Sequence, residues 1–154
     1  MFLIVTLFSL GSREEVAANE TFPGKHLLDN EELLKLRLEG MNTIFAPEYS
    51  EEFKKRFTFL LKTKREYTES LLGRMVMYFP EIDSILEANN IPTDLKYVTI
   101  IESTLRPKAR SRAGAVGLWQ FMRGTAIMNG ISVNSVVDER KDPYAATHAA
   151  VRYF

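Results

Sequence analysis

The chain contains no cysteine. Disulfides, cysteine-bearing metal sites and cysteine nucleophiles are therefore excluded, as is the lipid-modified cysteine of a lipoprotein anchor. Histidine is almost as scarce. His26 and His148 are too few and too far apart to suggest zinc, so no metal and no cofactor is expected. Neither charge sign is in excess: formal net charge is zero, which argues against general nucleic-acid binding. No apolar run is long enough to cross a bilayer. No run alternates convincingly enough to read as a strand.

What is present is ordinary globular material, 45% hydrophobic and 26% charged over 154 residues. That length supports one domain, or one domain with an extension. Charge is unevenly placed. Residues 1–90 carry 11 basic and 15 acidic groups, and residues 91–154 carry 9 and 5. The C-terminal part, at +4, would favour an anionic partner. Arg106, Lys108, Arg110 and Arg112 alternate before Gly114; a solvated basic loop and a substrate contact both fit them.

The organisation reads as helical. Asn30 to Glu39 is a short amphipathic run ended by Gly40. Ser50 to Tyr78 is a long helical pattern carrying Phe53, Phe57, Leu60, Leu61, Tyr67, Leu71 and Met75, with a kink expected at Gly73. Pro80 reads as the first-turn proline of another helix reaching about Asn89. Trp119 to Asn129 and Tyr144 to Phe154 are the last two candidates. The N-terminal Met1 to Gly11 resembles the apolar part of a signal peptide. It lacks a basic start, so it reads as an incomplete signal with a cleavage point after Gly11. Residues 12–28 read as a flexible lead-in.

The sharpest chemical signal is Ile100-Ile101-Glu102-Ser103. Thr93 to Ser103 reads as a helix with Thr93 as N-cap after Pro92. Leu95, Val98 and Thr99 share a face with Glu102, and Tyr97, Ile100 and Ile101 cover most of the rest. A helix apolar on nearly all sides is usually buried. Burial and the helix C-terminus would each disfavour an ionised Glu102, as a general acid requires. The alternative is an ordinary ion pair with Arg106, one turn later.

A glycine-bearing stretch follows: Gly114-Ala115-Val116-Gly117-Leu118-Trp119-Gln120-Phe121-Met122, then Gly124-Thr125-Ala126. The spacing is too short for a dinucleotide fingerprint. An aromatic face beside an amide suits a sugar ring, although Trp119 would serve equally as core.

The run IIESTLRPKARSRAGAVGLWQFMRGTA resembles the catalytic core of the lytic murein transglycosylases. Val137-Asp138-Glu139-Arg140-Lys141-Asp142-Pro143, with Ala145-Ala146-Thr147, is similar to the membrane-bound lytic murein transglycosylase D group. Met41-Asn42-Thr43-Ile44 and Tyr78-Phe79-Pro80 resemble the N-terminal extension of such proteins. Glu69-Ser70 repeats the Glu-Ser pair with no glycine motif after it.

The resemblance implies a mainly α, goose-type-lysozyme-like domain over residues 91–154, preceded by a helical extension over 29–90. Glu102 is implied as the acid/base, and Ser103 as a neighbour that orients the acid or the substrate. Gly117, Leu118, Trp119, Gln120 and Met122 are implied as the substrate-binding cleft. The substrate would be peptidoglycan glycan strands, cut at the MurNAc-β-1,4-GlcNAc bond to leave a 1,6-anhydro end, in the periplasm or cell envelope with peripheral membrane association.

Two departures stand out. Arg123 replaces the proline usual before Gly-Thr-Ala. No segment matches the family's later Ala-Tyr-Asn motif, so the domain is expected to be incomplete at its C-terminal end. A non-catalytic peptidoglycan-binding remnant is the alternative reading. Ala146, Ala149, Ala150 and Tyr153 would then face a missing packing partner, leaving the chain weak or inactive alone.

Overall fold

A computed structural model describes residues 31–41 and 48–154. The signal-like run, the lead-in, Asn30 and most of the Met41–Ile44 motif lie outside them. The chain divides into two units at Ser70/Leu71. It is mainly helical, and no strand occurs among the described residues, only three isolated antiparallel bridges.

In the first unit, α1 spans Glu31–Glu39 and α2 spans Glu51–Thr58. The Ser50 hydroxyl accepts from the Phe53 N–H at 3.1 Å and starts α2. Leu34, Leu38, Phe53, Phe57 and Leu61 form the core, and the Phe53 and Phe57 rings stack 5.7 Å apart. A π-helical turn, Phe59–Thr63, then interrupts the pattern. Such a turn takes carbonyls out of the regular ladder. The buried Thr68 hydroxyl lies 2.9 Å from the Leu60 carbonyl and 3.0 Å from that of Lys64, and can donate to either.

The break expected at Gly73 is thus at residues 59–64, and α3 runs unbroken from Arg65 to Ala88. Pro80 sits inside α3 rather than at the head of a new helix. Its ring removes one bond to Val76, but both residues are exposed, so water can take the freed carbonyl.

In the second unit, Leu71, Met75, Phe79, Ile82 and Leu86 of α3 are all at most 1% exposed. Their three- and four-residue steps make one continuous stripe, each side chain contributing about 2 kcal/mol of burial. Tyr97 packs edge-on against Phe79 at 5.5 Å. Burial, with Asp94 and Asp83 adding to it, pushes the Tyr97 hydroxyl up to about 12.

The expected single helix over 93–103 is a 3₁₀ turn, Thr93–Tyr97, followed by a short α4, Val98–Ser103. Thr93 does not cap it: Pro92 holds the N-cap position, with no side-chain bond. The helix ends in two left-handed residues, Thr104 (φ 55°) and Leu105 (φ 54°). Their amides close onto Ile100 and Thr99 carbonyls at 2.9 and 3.2 Å, and full burial of Leu105 holds the strained pair in place.

The helix expected from Trp119 begins later, as α5, Arg123–Met128. Residues 116–121 instead form a tight hairpin-like turn, with Val116 and Phe121 exchanging both backbone bonds at 3.1 Å. Arg123 takes the first position of α5, where a proline would cost nothing. A 3₁₀ turn, Glu139–Lys141, leads into α6, Pro143–Tyr153, capped by the Asp142 carboxylate accepting from Ala145 N–H at 2.9 Å.

Candidate functional site

Glu102 lies one residue from the end of α4, and its side chain opens into a cleft of about 310 Å³. Val98, one helical turn earlier, lines the same cleft, with Trp119, Gln120, Phe121, Met122, Thr125, Tyr153 and Phe154. The expected burial of this helix end does not hold. Glu102 is exposed and Ile101 is 59% exposed. Only Thr99, Ile100 and Ser103 of α4 are buried, because six residues can turn just one face inward. The ion pair with Arg106 is also absent: among the described residues Glu102 has no charged partner.

Ser103 stands behind the acid, not in the cleft. Its buried hydroxyl is 3.0 Å from both the Thr99 and Leu118 carbonyls and can donate to either. It accepts from the Arg106 N–H at 3.3 Å. One side chain therefore ties the acid-bearing helix to the glycine-bearing turn. A buried hydroxyl bonded on several sides is a positioning element.

Gly117 and Leu118 also hold the site without lining it. Gly117 has φ 88°, and a Cβ there would sit 1.8 Å from the Arg140 carbonyl oxygen, so glycine is required by both conformation and space. Leu118 is 1% exposed. Trp119 is both core and cleft wall. It is 7% exposed, donates its indole N–H to the Thr147 hydroxyl at 3.0 Å, and still contributes to the cleft wall. Gln120 adopts φ 50° and turns its amide back on the loop, donating to Gly117 and Ala109 carbonyls at 2.8 and 3.3 Å. Met122, 46% exposed, forms part of the wall just before α5.

Sequence reasoning missed the residue that locks this turn. Arg140 is 5% exposed and pairs with Asp138 through two bonds of 2.8 Å. Its other nitrogen donates to the Phe121 and Gly114 carbonyls at 3.2 and 3.3 Å. Those bonds hold the Asp138 carboxyl below its usual range. The acids of this loop all have structural work: Glu139 accepts from Ser132 N–H at 2.7 Å, and Asp142 caps α6. The signal for Arg140 is its place in the charged run Asp138 to Asp142, where the sequence allows carboxylates that are solvated or bound to Arg140 and Lys141.

Phe121, Tyr153 and Phe154 were missed as cleft residues too. Their rings meet edge-on, Phe121 with Tyr153 at 6.1 Å and Trp119 with Phe154 at 5.9 Å. No spacing in the sequence ties residues 153 and 154 to a cleft. The expectation of an unpartnered α6 is corrected for its alanines: Ala146, Ala149 and Ala150 are at most 1% exposed, while Tyr153 remains 62% exposed. Small side chains admit close backbone approach, and the neighbouring residues of this chain already fill that space.

No group of three or more metal-ligating side chains occurs among the described residues. Among them, no helix is long and apolar enough to cross a membrane.

Comparison with known proteins bears on this geometry. Two curated proteins, both membrane-bound lytic murein transglycosylase D, from Escherichia coli K12 and from Escherichia coli O6:H1, are each 31% identical over 87 residues. The aligned part is 56% of this chain and 19% of either relative, so the chain spans about a fifth of their length. A family model, the transglycosylase SLT domain, covers Glu102, the glycine-bearing turn, Arg140 and α6. Over residues 82–154, then, this chain matches the transglycosylase SLT domain family.

Proposed function

We propose that the chain contributes the acid-bearing part of a peptidoglycan lytic transglycosylase acting in the cell envelope. One observation carries this reading: among the described residues, Glu102 is the single acid lining the cleft. Glycoside hydrolysis ordinarily uses two carboxylates. With one, the second nucleophile has to come from the substrate.

Glu102, protonated, gives its proton to the glycosidic oxygen between MurNAc and GlcNAc, and the C1–O bond breaks. The carboxylate then takes the proton of the muramoyl C6 hydroxyl. That oxygen attacks C1 of the same sugar and closes a 1,6-anhydro ring. The proton count balances, no water is consumed, and the second step is intramolecular. The aromatic wall of Trp119, Phe121 and Tyr153 offers ring faces and edges to the sugars. Ser103 fixes the helix that aims the acid. The SLT domain match and the lytic murein transglycosylase relatives support the same reaction class.

The test is digestion of purified peptidoglycan, with mass spectrometry of the products. Sugar ends 18 Da lighter than hydrolysed ones are expected, the mass of the water not consumed. Reducing, hydrated ends would replace this reading with a hydrolase. Glu102→Gln should lower turnover by at least about 10²-fold, the usual worth of a positioned acid. Its helix content should be unchanged, since the exposed carboxylate has no partner to lose. A Gln variant that kept its activity would remove Glu102 from the mechanism.

A further inference from the structure

Two hydroxyls hold consecutive residues of the glycine-bearing turn. Ser103 of α4 lies 3.0 Å from the Leu118 carbonyl and can donate to it. Thr147 of α6 takes the next residue, accepting from the Trp119 indole N–H at 3.0 Å. The first ties the turn to the helix that bears Glu102. The second has no part in the chemistry above, and Thr147 does not line the cleft. Thr147 is 0% exposed, on the inward face of α6 with Ala146, Ala149 and Ala150. Its own proton is committed, because the hydroxyl donates to the Pro143 carbonyl one turn earlier at 2.7 Å. That back-bond alone satisfies a threonine inside a helix. It leaves the oxygen as an acceptor, aimed at the turn.

Trp119 is the single tryptophan of the chain. Its bond to Thr147 is buried, yet the residue contributes to the cleft wall. The ring also meets Phe154 edge-on at 5.9 Å. A buried indole N–H needs a partner, and here that partner is protein. The cleft therefore meets ring carbons, and the one polar group an indole can offer to a sugar is already taken.

We propose that Thr147 is a positioning residue for the glycan. By holding the indole N–H on α6 it fixes the plane of Trp119 beside the strand and keeps that donor away from sugar hydroxyls. An indole freed of the bond can turn about Cβ–Cγ, a broad torsion between sp³ and sp² carbons. It then either keeps its plane with a desolvated N–H or turns and withdraws the ring from the strand. The inference rests on the reading of the cleft as a glycan site. It adds which part of the tryptophan the sugar meets and which residue outside the cleft decides it.

The experiment is an NMR titration of the 154-residue chain with a peptide-free GlcNAc–MurNAc tetrasaccharide, on the wild type, Thr147→Val and Thr147→Ser. One tryptophan gives one indole N–H signal. In the wild type that proton should exchange slowly with solvent and stay protected when the glycan binds, while the ring carbons shift. Thr147→Val keeps the shape and removes the acceptor. Its indole proton should move upfield and exchange faster, and glycan binding should weaken about fivefold, the worth of one neutral hydrogen bond. Thr147→Ser keeps the acceptor and should keep the wild-type affinity. A threonine that only packs would lower the melting temperature of the valine variant and leave the affinity of the folded protein unchanged. Unchanged affinity in Thr147→Val, a serine variant as weak as the valine one, or an indole N–H that passes to the sugar in the wild type would each overturn the proposal. The last is read without any substitution, so it decides even where the valine variant does not fold. A wild type that ignores the glycan while its indole proton stays protected would strike the glycan reading of the cleft, and this assignment with it.

Discussion

Among the described residues up to Ser70, every buried side chain but Thr68 is a leucine or a phenylalanine, and the ion pairs sit on the surface. Glu31 with Lys35, Glu52 with Arg56 and Arg65 with Glu69 are each four residues apart at 2.7–2.8 Å. From Leu71 onward a comparable apolar stripe is joined by a second set of bonds, running from buried or half-buried side chains to backbone carbonyls and, from Trp119, to a buried hydroxyl. Ser103 reaches Leu118, Trp119 reaches Thr147, Gln120 reaches Gly117, and Arg140 reaches Phe121 and Gly114. The first kind of structure needs only periodicity. The second holds irregular backbone in one shape, and a cleft built from a six-residue helix and a turn depends on it. Buried polar contacts raise the cost of any alternative arrangement, because each unmade bond leaves a desolvated group.

The largest break in this contrast should come at Gly117. Gly117→Ala puts a methyl group into the Arg140 carbonyl and forces a side chain to φ 88°. A loss of about 3 kcal/mol or more is expected by denaturant unfolding. Gly114→Ala is the internal control, with a similar φ of 93° but open space around the added carbon. It should cost only about 1 kcal/mol. Equal effects would mean that the turn yields and is not locked.

Next in size is Arg140→Met. It keeps the stem but removes the two hydrogen bonds to the Asp138 carboxylate and the bonds to two carbonyls. Breaking one side of such a buried pair should cost about 3 kcal/mol. The sign of its pH dependence is fixed. Asp138 is held below its ordinary 3.8, first by the Arg140 bonds. Its stabilisation is therefore present above the ordinary carboxylate range and is lost as pH falls through the depressed value. The stability gap between wild type and variant should narrow in acid. A gap that stayed constant would show that the pair is not what Arg140 contributes.

The smallest effect belongs to the first unit. Glu31 is held down at about 2 from 4.5, first by its bond to Lys35 and then by that to Lys54. The same sign applies: the contribution is present above about 4.5 and fades as pH drops toward about 2. The Glu31 side chain is 38% exposed and its partners face solvent, so screening reduces its worth. Glu31→Gln should lower the melting temperature less than Arg140→Met does, and added salt should shrink the difference. An effect as large as that of Arg140→Met would erase the distinction between the two regions.

The sequence by itself determined the helical class, the stripe of α3 and the order of the motifs that carry Glu102, Gly117, Trp119 and Gln120. Those features are local: three- and four-residue spacing selects a buried face whatever the rest of the chain does, and a carboxylate or an indole keeps its chemistry anywhere. Breaks were less legible. Gly73 and Pro80 are strong local signals, yet α3 runs through both because the affected backbone faces water, while the real interruption at Phe59–Thr63 is stabilised by Thr68 from the next helix. Only tertiary structure decided that Glu102 is exposed, that Ser103 and Gln120 serve the loop before any substrate, that Arg140 is buried, and that Tyr153 and Phe154 line the cleft. Each of these depends on which backbone carbonyls and ring faces lie within a few ångströms across large sequence separations. Side-chain identity does not encode that until the helices have packed.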